Sequence, residues 1–298
     1  MSSVFRGGTL ELVSDLFRVL TVPGMGRGLF AVHDLPARTL VLHESPLVST
    51  PPVSKVRDRS WCATCCSPGI ACGHDQVRSD VDVDLTPLLD YCEAKNFKWP
   101  LLIAKLASRH LRRQRHQEEQ HHETLARMKF LCSVDLEARA HHLEEQRQVM
   151  MKCFTGAHTA SASDLSIEWY VDTYSRIQPN AFRLDLIDTQ ALQGDYHAVL
   201  RAMLARQEGD QGGSAVYTVA SLINHSCAPN VDVSFAGNDH EITLRTNQDV
   251  RANEQLTISY IDGSLDAHER ARQLAMYGFT CHCERCREER LMGFVSKK

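Results

Sequence analysis

The sequence predicts an α+β chain in which two β-rich segments stand far apart and a helical block separates them. Three observations carry this reading. Residues 10–48 and 215–262 break into short runs of apolar and β-branched residues punctuated by Gly, Pro, Asn and Asp. Between them, Leu101, Leu102, Lys105, Leu106 and His110 follow the i, i+3, i+4 spacing of a helix, and long polar runs follow without Gly or Pro. Near the C-terminus, three cysteines crowd into six residues. An isolated hairpin is marginal in water, so the N-terminal strands are expected to pair with those of the C-terminal half.

Bulk composition narrows the function. With 43% hydrophobic and 23% charged residues among 298, the chain can bury a sizeable core and is not globally disordered. A formal net charge of −4 offers no general basic face for nucleic acid. No apolar run approaches the ~20 residues of a membrane-spanning helix. Met1 to Gly8 lacks the apolar core of a secretory signal, and eleven cysteines do not pair evenly. A reduced intracellular compartment is expected, nucleus or cytoplasm, with clustered thiols available to zinc.

Taken in order, Leu16–Val22 reads as a strand, Pro23–Gly28 as a glycine-rich turn, Leu29–Val32 as a second strand and Thr39–Leu42 as a third. Residues 49–83 form a polar Cys-rich segment, and 84–160 a helical insertion. Within the insertion, Arg109–Glu123 is charged almost all round and is expected to be solvated; its histidines (His110, His116, His121, His122), with His141 and His142, lack the H-E-x-x-H spacing of a metal site. Ser163–Glu168 offers N-caps for a helix to Ile177, which Pro179 is expected to stop. A strand at Ala181–Leu186, a short helix at Tyr196–Arg206 and a Gly-rich stretch at Glu208–Ser214 follow. Val231–Phe235 and Glu241–Arg245 alternate as a hairpin, Leu256–Ile261 is a strand, and His268–Tyr277 a helix. The segmentation is therefore 10–48, 49–83, 84–160, 161–262 and 263–298.

Chemistry concentrates in Ser221-Leu222-Ile223-Asn224-His225-Ser226-Cys227-Ala228-Pro229-Asn230, where amide, imidazole, hydroxyl and thiol follow an apolar run and a proline turn comes next. Cys281, Cys283 and Cys286 supply three thiolates for structural zinc, which takes four ligands; Cys227 is the candidate fourth, with a plain buried cysteine as the alternative. Cys62, Cys65, Cys66, Cys72 and His74 offer ligand types for a second site but lack a second Cys-x2-Cys pair. Gly26-Arg27-Gly28-Leu29-Phe30-Ala31 has the spacing of a dinucleotide fingerprint, yet strand rather than helix follows it, so that reading fails. A Ser226–His225 nucleophile also fails, because strand neighbours face opposite ways and no G-x-S-x-G elbow is present.

These residues resemble the SET-domain protein lysine methyltransferases. Gly26–Ala31, Asn224-His225-Ser226-Cys227-x-Pro229-Asn230 and Ile258-Ser259-Tyr260-Ile261-Asp262 occur in the family's order. Arg270, Arg272 and Leu274, then Tyr277-Gly278-Phe279-Thr280-Cys281-x-Cys283-x2-Cys286, resemble its post-SET segment, and the split arrangement is similar to the SET and MYND branch. The resemblance implies a β-fold of several small sheets with a pseudoknot, a helical insertion and a zinc-binding post-SET segment. It implies S-adenosylmethionine as methyl donor, structural zinc, and a protein lysine, histone or non-histone, as acceptor, in a protein expected to be a monomer. Carried across by motif, Gly26, Arg27, Gly28, Asn180, Asn224 and His225 would hold the donor and Phe279 would stack on its adenine. Tyr260 would be the catalytic tyrosine, Tyr217 would border the lysine channel, and Cys227, Cys281, Cys283 and Cys286 would bind zinc. The MYND zinc module is expected to be reduced or absent, and the helical-repeat domain of many relatives does not follow before Lys298. Those departures motivate an alternative, a SET-like scaffold without turnover.

Overall fold

The computed structural model describes residues 2–6, 9–58, 61–62, 66, 83–95, 97–116, 126–136, 140–154, 165–184, 212–235 and 239–295. Its strands are β1 (Ser2–Arg6), β2 (Thr9–Val13), β3 (Phe17–Val22), β4 (Gly26–Ala31), β5 (Leu40–Glu44), β6 (Val48–Thr50), β7 (Ala181–Leu184), β8 (Gly213–Val216), β9 (Asn224–His225), β10 (Val231–Ser234), β11 (Ile242–Thr246) and β12 (Gln255–Ile258). Its α-helices are α1 (Val53–Arg57), α2 (Thr86–Lys95), α3 (Trp99–His116), α4 (Ala140–Met151), α5 (Ile167–Asn180), α6 (Ala267–Ala275) and α7 (Glu284–Val295). The chain divides into two compact units, one of residues 1–44, 222–234 and 242–298, the other of 45–221 and 235–241.

The first unit carries out the long-range pairing that the sequence demands. β4 lies between β3 and β12, antiparallel to both, and the two-residue β9 runs parallel to β12 on its other side. A second sheet runs β10-β11-β5, with β11 antiparallel to both neighbours. Pro23-Gly24 turns the β3–β4 hairpin: Gly24 has φ of +74°, the value a type II turn requires at its third residue, and the Met25 N–H donates to the Val22 carbonyl at 3.0 Å. Phe17, Leu29, Ala31 and Leu256 are buried in this unit's core. The expected 231–245 hairpin is present as β10 and β11, from Val231↔Thr246 to Ser234↔Thr243.

The second unit packs α2, α3, α4 and α5 with the sheet β6-β8-β7 around one core that includes Leu88, Leu102, Leu106, Leu111, Met150, Tyr170 and Ile177. β8 lies between β6 and β7, antiparallel to each, and all four of its residues are buried. Two expectations are corrected here. The start of the charged stretch, Arg109–Leu111, is not a solvated surface: Leu111 is fully buried, His110 sits against Trp169 with ring centroids 5.9 Å apart, and the Arg109 guanidinium donates to the Leu47 carbonyl. Long side chains can bury their stems and still satisfy their heads, which polarity alone hides. Nor does Pro179 stop α5, which runs on to Asn180. Proline cannot donate to the Ser175 carbonyl, but Val134 N–H takes that carbonyl at 3.2 Å, and the Asn180 Nδ2 donates to the Arg176 carbonyl at 2.7 Å. Ser166 is the N-cap, accepting from the Trp169 N–H. The expected helix at 196–206 lies outside the described residues.

Leu102 is fully buried at the centre of the second unit's core. Replacing it with alanine is expected to cost about 2–5 kcal/mol, read as a lower urea midpoint at unchanged slope.

Candidate active site and metal centre

The site in the first unit begins with the parallel contact of β9 and β12, which sets Asn224 opposite Thr257 and His225 opposite Ile258. Two residues of ladder hold little by themselves. The buried Asn230 secures them: its Oδ1 accepts the Thr257 N–H at 2.8 Å, and its Nδ2 donates to the Gln255 carbonyl at 2.9 Å and to Glu254 at 3.1 Å. Ser226 N–H donates to the Ile258 carbonyl at 2.9 Å, and its Oγ accepts the Ala228 N–H at 3.1 Å, closing the turn into Pro229. Neither role was assigned from sequence.

From β9, the Asn224 Nδ2 donates to the Arg27 carbonyl on β4 at 3.1 Å. Gly28 makes this approach possible, because a Cβ there would stand 2.8 Å from the Asn224 amide nitrogen and 2.5 Å from that of Gln255. Gly26, with φ of +76°, opens β4 with no heavy atom within 4 Å of where its Cβ would be.

Tyr260 follows β12 and is held at two points by the strand beside it. Its O–H donates to the Ile223 carbonyl at 2.6 Å, and its N–H donates to the His225 Nδ1 at 3.0 Å. His225 is buried, and desolvation, with the Arg270 charge adding to it, lowers its pKa to about 4, so the ring is neutral near pH 7. An aromatic cluster surrounds the tyrosine, with centroid separations of 5.3 Å to His225, 5.2 Å to Tyr277 and 6.3 Å to Phe279, the last edge-on. Phe279 is half-buried and also faces His225 at 6.0 Å.

Cys227, Cys281, Cys283 and Cys286 bring their sulfurs within 4.8 Å of one another. A tetrahedral zinc with Zn–S of about 2.3 Å spaces its sulfurs about 3.8 Å apart, so four thiolates so arranged fit that ion. Cys286 lies in the first turn of α7 rather than in the loop before it, which aims its sulfur at Cys227, 3.5 Å away. Burial raises the Cys227 and Cys281 thiols. Burial also opposes ionisation of Cys283, but hydrogen bonds from the amides of Cys286 and Cys227 and from neighbouring thiols bring it down to about 6.

Arginines to which the sequence analysis gave no role lock this centre. Arg270, only 1% exposed, donates to the Leu265 carbonyl at 2.6 Å and pairs with Glu289 on α7. Arg285 donates to the carbonyls of Gly263 at 2.7 Å and Cys227 at 3.2 Å, and Arg290 to that of Cys281 at 3.2 Å. The one hint in sequence was the placement of Arg270 on the apolar side of α6, one turn before the buried Leu274.

Asn180 and Tyr217 belong to the second unit. The Asn180 Nδ2 donates to the carbonyls of Cys132 and Arg176, and its own carbonyl accepts from Ser221 Oγ at 3.2 Å. Tyr217 is fully buried, its O–H donating to the His240 carbonyl at 2.6 Å and its ring edge-on to Phe182. Of the Cys-rich segment, Cys62 and Cys66 are buried and Cys66 donates to Ser49 Oγ at 3.4 Å, while Cys65, Cys72 and His74 lie outside the described residues.

Comparison with known proteins adds an independent line. Residues 26–261 match the family model described as SET domain. A histone-lysine N-methyltransferase of Arabidopsis thaliana, ATXR4, is 27% identical over 94% of this chain and 89% of its own length. The human histone-lysine N-methyltransferase SMYD3 is 37% identical over 29% of this chain and 20% of its own. A SET and MYND domain-containing protein of Dictyostelium discoideum is 27% identical over 42% of this chain and 33% of its own.

If the four thiols hold a metal, Cys283→Ser should lower zinc in purified protein well below stoichiometric amounts while Cys132→Ser, an exposed cysteine outside the cluster, leaves it unchanged. Metal analysis after gel filtration reads both.

Proposed function

Because this chain belongs to the SET-domain family, we propose that it is an S-adenosylmethionine-dependent protein-lysine N-methyltransferase with a structural zinc, acting on a histone or another protein that presents a lysine. The observation that carries the reading is the double anchorage of Tyr260, by hydroxyl and amide, to the segment containing Asn224 and His225. The plant relative, matched over nearly the whole of both chains, supports it.

When bound, S-adenosylmethionine supplies a methyl group on a positively charged sulfonium. The residues toward it are backbone groups of Gly26, Arg27 and Gly28, the Asn224 and His225 segment, and the half-buried ring of Phe279, a set suited to adenine stacking and to a cation near aromatic faces. Asn180 and Tyr217 keep, in this proposal, the donor-contacting and channel-lining roles of the motif carry-over.

The acceptor must be a neutral amine. Free lysine has a pKa of about 10.4, and enclosure in an apolar channel near a positive charge lowers it. The Tyr260 hydroxyl spends its proton on the Ile223 carbonyl, so its oxygen offers lone pairs that accept an N–H of the amine and orient the nitrogen toward the methyl group. Tyr260 is not the nucleophile; it aligns one, and alignment of two reactants lowers a barrier by several kcal/mol. The proposed zinc takes no part in transfer. It fixes the tail that carries Phe279. In this proposal the protein works inside the cell, as a chain with eleven cysteines, several of them closely spaced, suits a reducing compartment, with no choice made between nucleus and cytoplasm.

The test is methyl transfer from labelled donor to histones and to cell extract, beside calorimetry with the donor. Tyr260→Phe should bind the donor as the wild type does and lose about 100-fold or more in turnover. Equal turnover in the two proteins would remove Tyr260 from the reaction. Absence of donor binding in folded, zinc-loaded wild type would instead favour the scaffold reading.

A further inference from the structure

Both ring nitrogens of His225 are engaged, and each partner dictates a role. The backbone N–H of Tyr260 can only donate, so Nδ1, 3.0 Å away, must be the bare acceptor. A neutral imidazole then carries its proton on Nε2, and Nε2 lies 3.2 Å from the Cys227 sulfur. A metal-bound thiolate accepts such a proton well. The ring is buried and fully spent, leaving only the His225 backbone for a methyl donor.

We propose that His225 is a positioning residue that links the metal centre to Tyr260 through the line Cys227 Sγ···H–Nε2, Nδ1···H–N Tyr260, so that loading the thiolate cluster sets where the tyrosine stands. The function assigned to Tyr260 rests on the reading above; the hydrogen bonds do not. Geometry makes the link specific. Ile223 and Cys227 flank His225 by two residues on either side, and the segment grips Tyr260 by its hydroxyl at Ile223 and by its amide at His225. Cys227 ties the other end of the segment to the sulfur cluster, where Cys286 approaches it at 3.5 Å. His225 is not among the four sulfur ligands, so replacing it cuts the line and leaves the whole ligand set in place.

The experiment substitutes cobalt for zinc in the full chain and compares wild type, His225→Phe and His225→Gln. Removing an N–H donor from a thiolate raises the energy of its lone pairs, so His225→Phe should retain cobalt while its sulfur-to-cobalt charge-transfer band moves to longer wavelength. With zinc restored, kcat should fall about 10- to 100-fold with KM for the donor little changed. His225→Gln, whose amide offers both an acceptor and a donor, should recover part of the band position and part of kcat. A band in His225→Phe superimposable on wild type overturns the bond to Cys227. A shifted band with unaltered kcat overturns the positioning of Tyr260. Loss of cobalt binding in both variants makes His225 merely structural and overturns the proposal as well. The band also decides the hydrogen bond in protein that shows no turnover, so a failed enzyme assignment is told apart from a failed link.

Discussion

Everything in the candidate site depends on one short parallel contact, β9 against β12, which is two residues long. Its backbone ladder alone would be too small to persist, and side chains make up the difference. Asn230 bonds three residues between 254 and 257, and Ser226 adds its own amide to the Ile258 carbonyl. A buried carboxamide that satisfies donor and acceptor at once is rigid, because any shift leaves a polar atom unpaired inside the protein. That rigidity passes to Asn224, which reaches Arg27, and to His225, which meets Tyr260.

The C-terminal tail is held by two kinds of force that reinforce each other. Sulfur convergence at Cys227, Cys281, Cys283 and Cys286 suits a metal, and a thiolate set of that size carries net negative charge even after a divalent ion is added. The buried Arg270 guanidinium answers that charge, and its two terminal nitrogens reach the Leu265 carbonyl and Glu289. Arg285 and Arg290 close the remaining carbonyls of the turn. A guanidinium suits this work better than an ammonium, since its planar fork serves several acceptors in fixed directions. The positions of Phe279 and Tyr277 follow from this clamp.

Much of this arrangement was legible in the chain itself. Asn224, His225 and Cys227 stood out because their residue types are unusual beside an apolar run, and Cys281, Cys283 and Cys286 because thiols so dense have few other uses, whereas Tyr260 read as one more strand residue until the family resemblance picked it out. The pairing of the N-terminal strands with β11 and β12 followed from the weakness of lone hairpins. What stayed hidden was of a different kind. Arg109 looks like a surface residue until the Leu47 carbonyl, 62 residues before it, is in place to receive it. Pro179 looks like a helix stop until Val134 is seen to take the carbonyl the proline abandons. Local rules state what a residue prefers; which preference is overruled depends on contacts 40 or more residues away, as with Val134 and Ser175.

The first unit is assembled from residues 1–44, 222–234 and 242–298, while the second is almost one continuous stretch. During synthesis this imposes an order. β3, β4 and β5 leave the ribosome early, but β11 and β12 are made some two hundred residues later. Until then the nascent N-terminus presents open strand edges and apolar faces with no partner, a state that invites wrong pairing. The helical core, by contrast, can condense as soon as its helices emerge. The contacts that Arg285 makes with the Gly263 carbonyl and Glu289 with Arg270 lie beyond β12 in sequence, so the clamp on the sulfur cluster can close only after the strands of this unit have all been made.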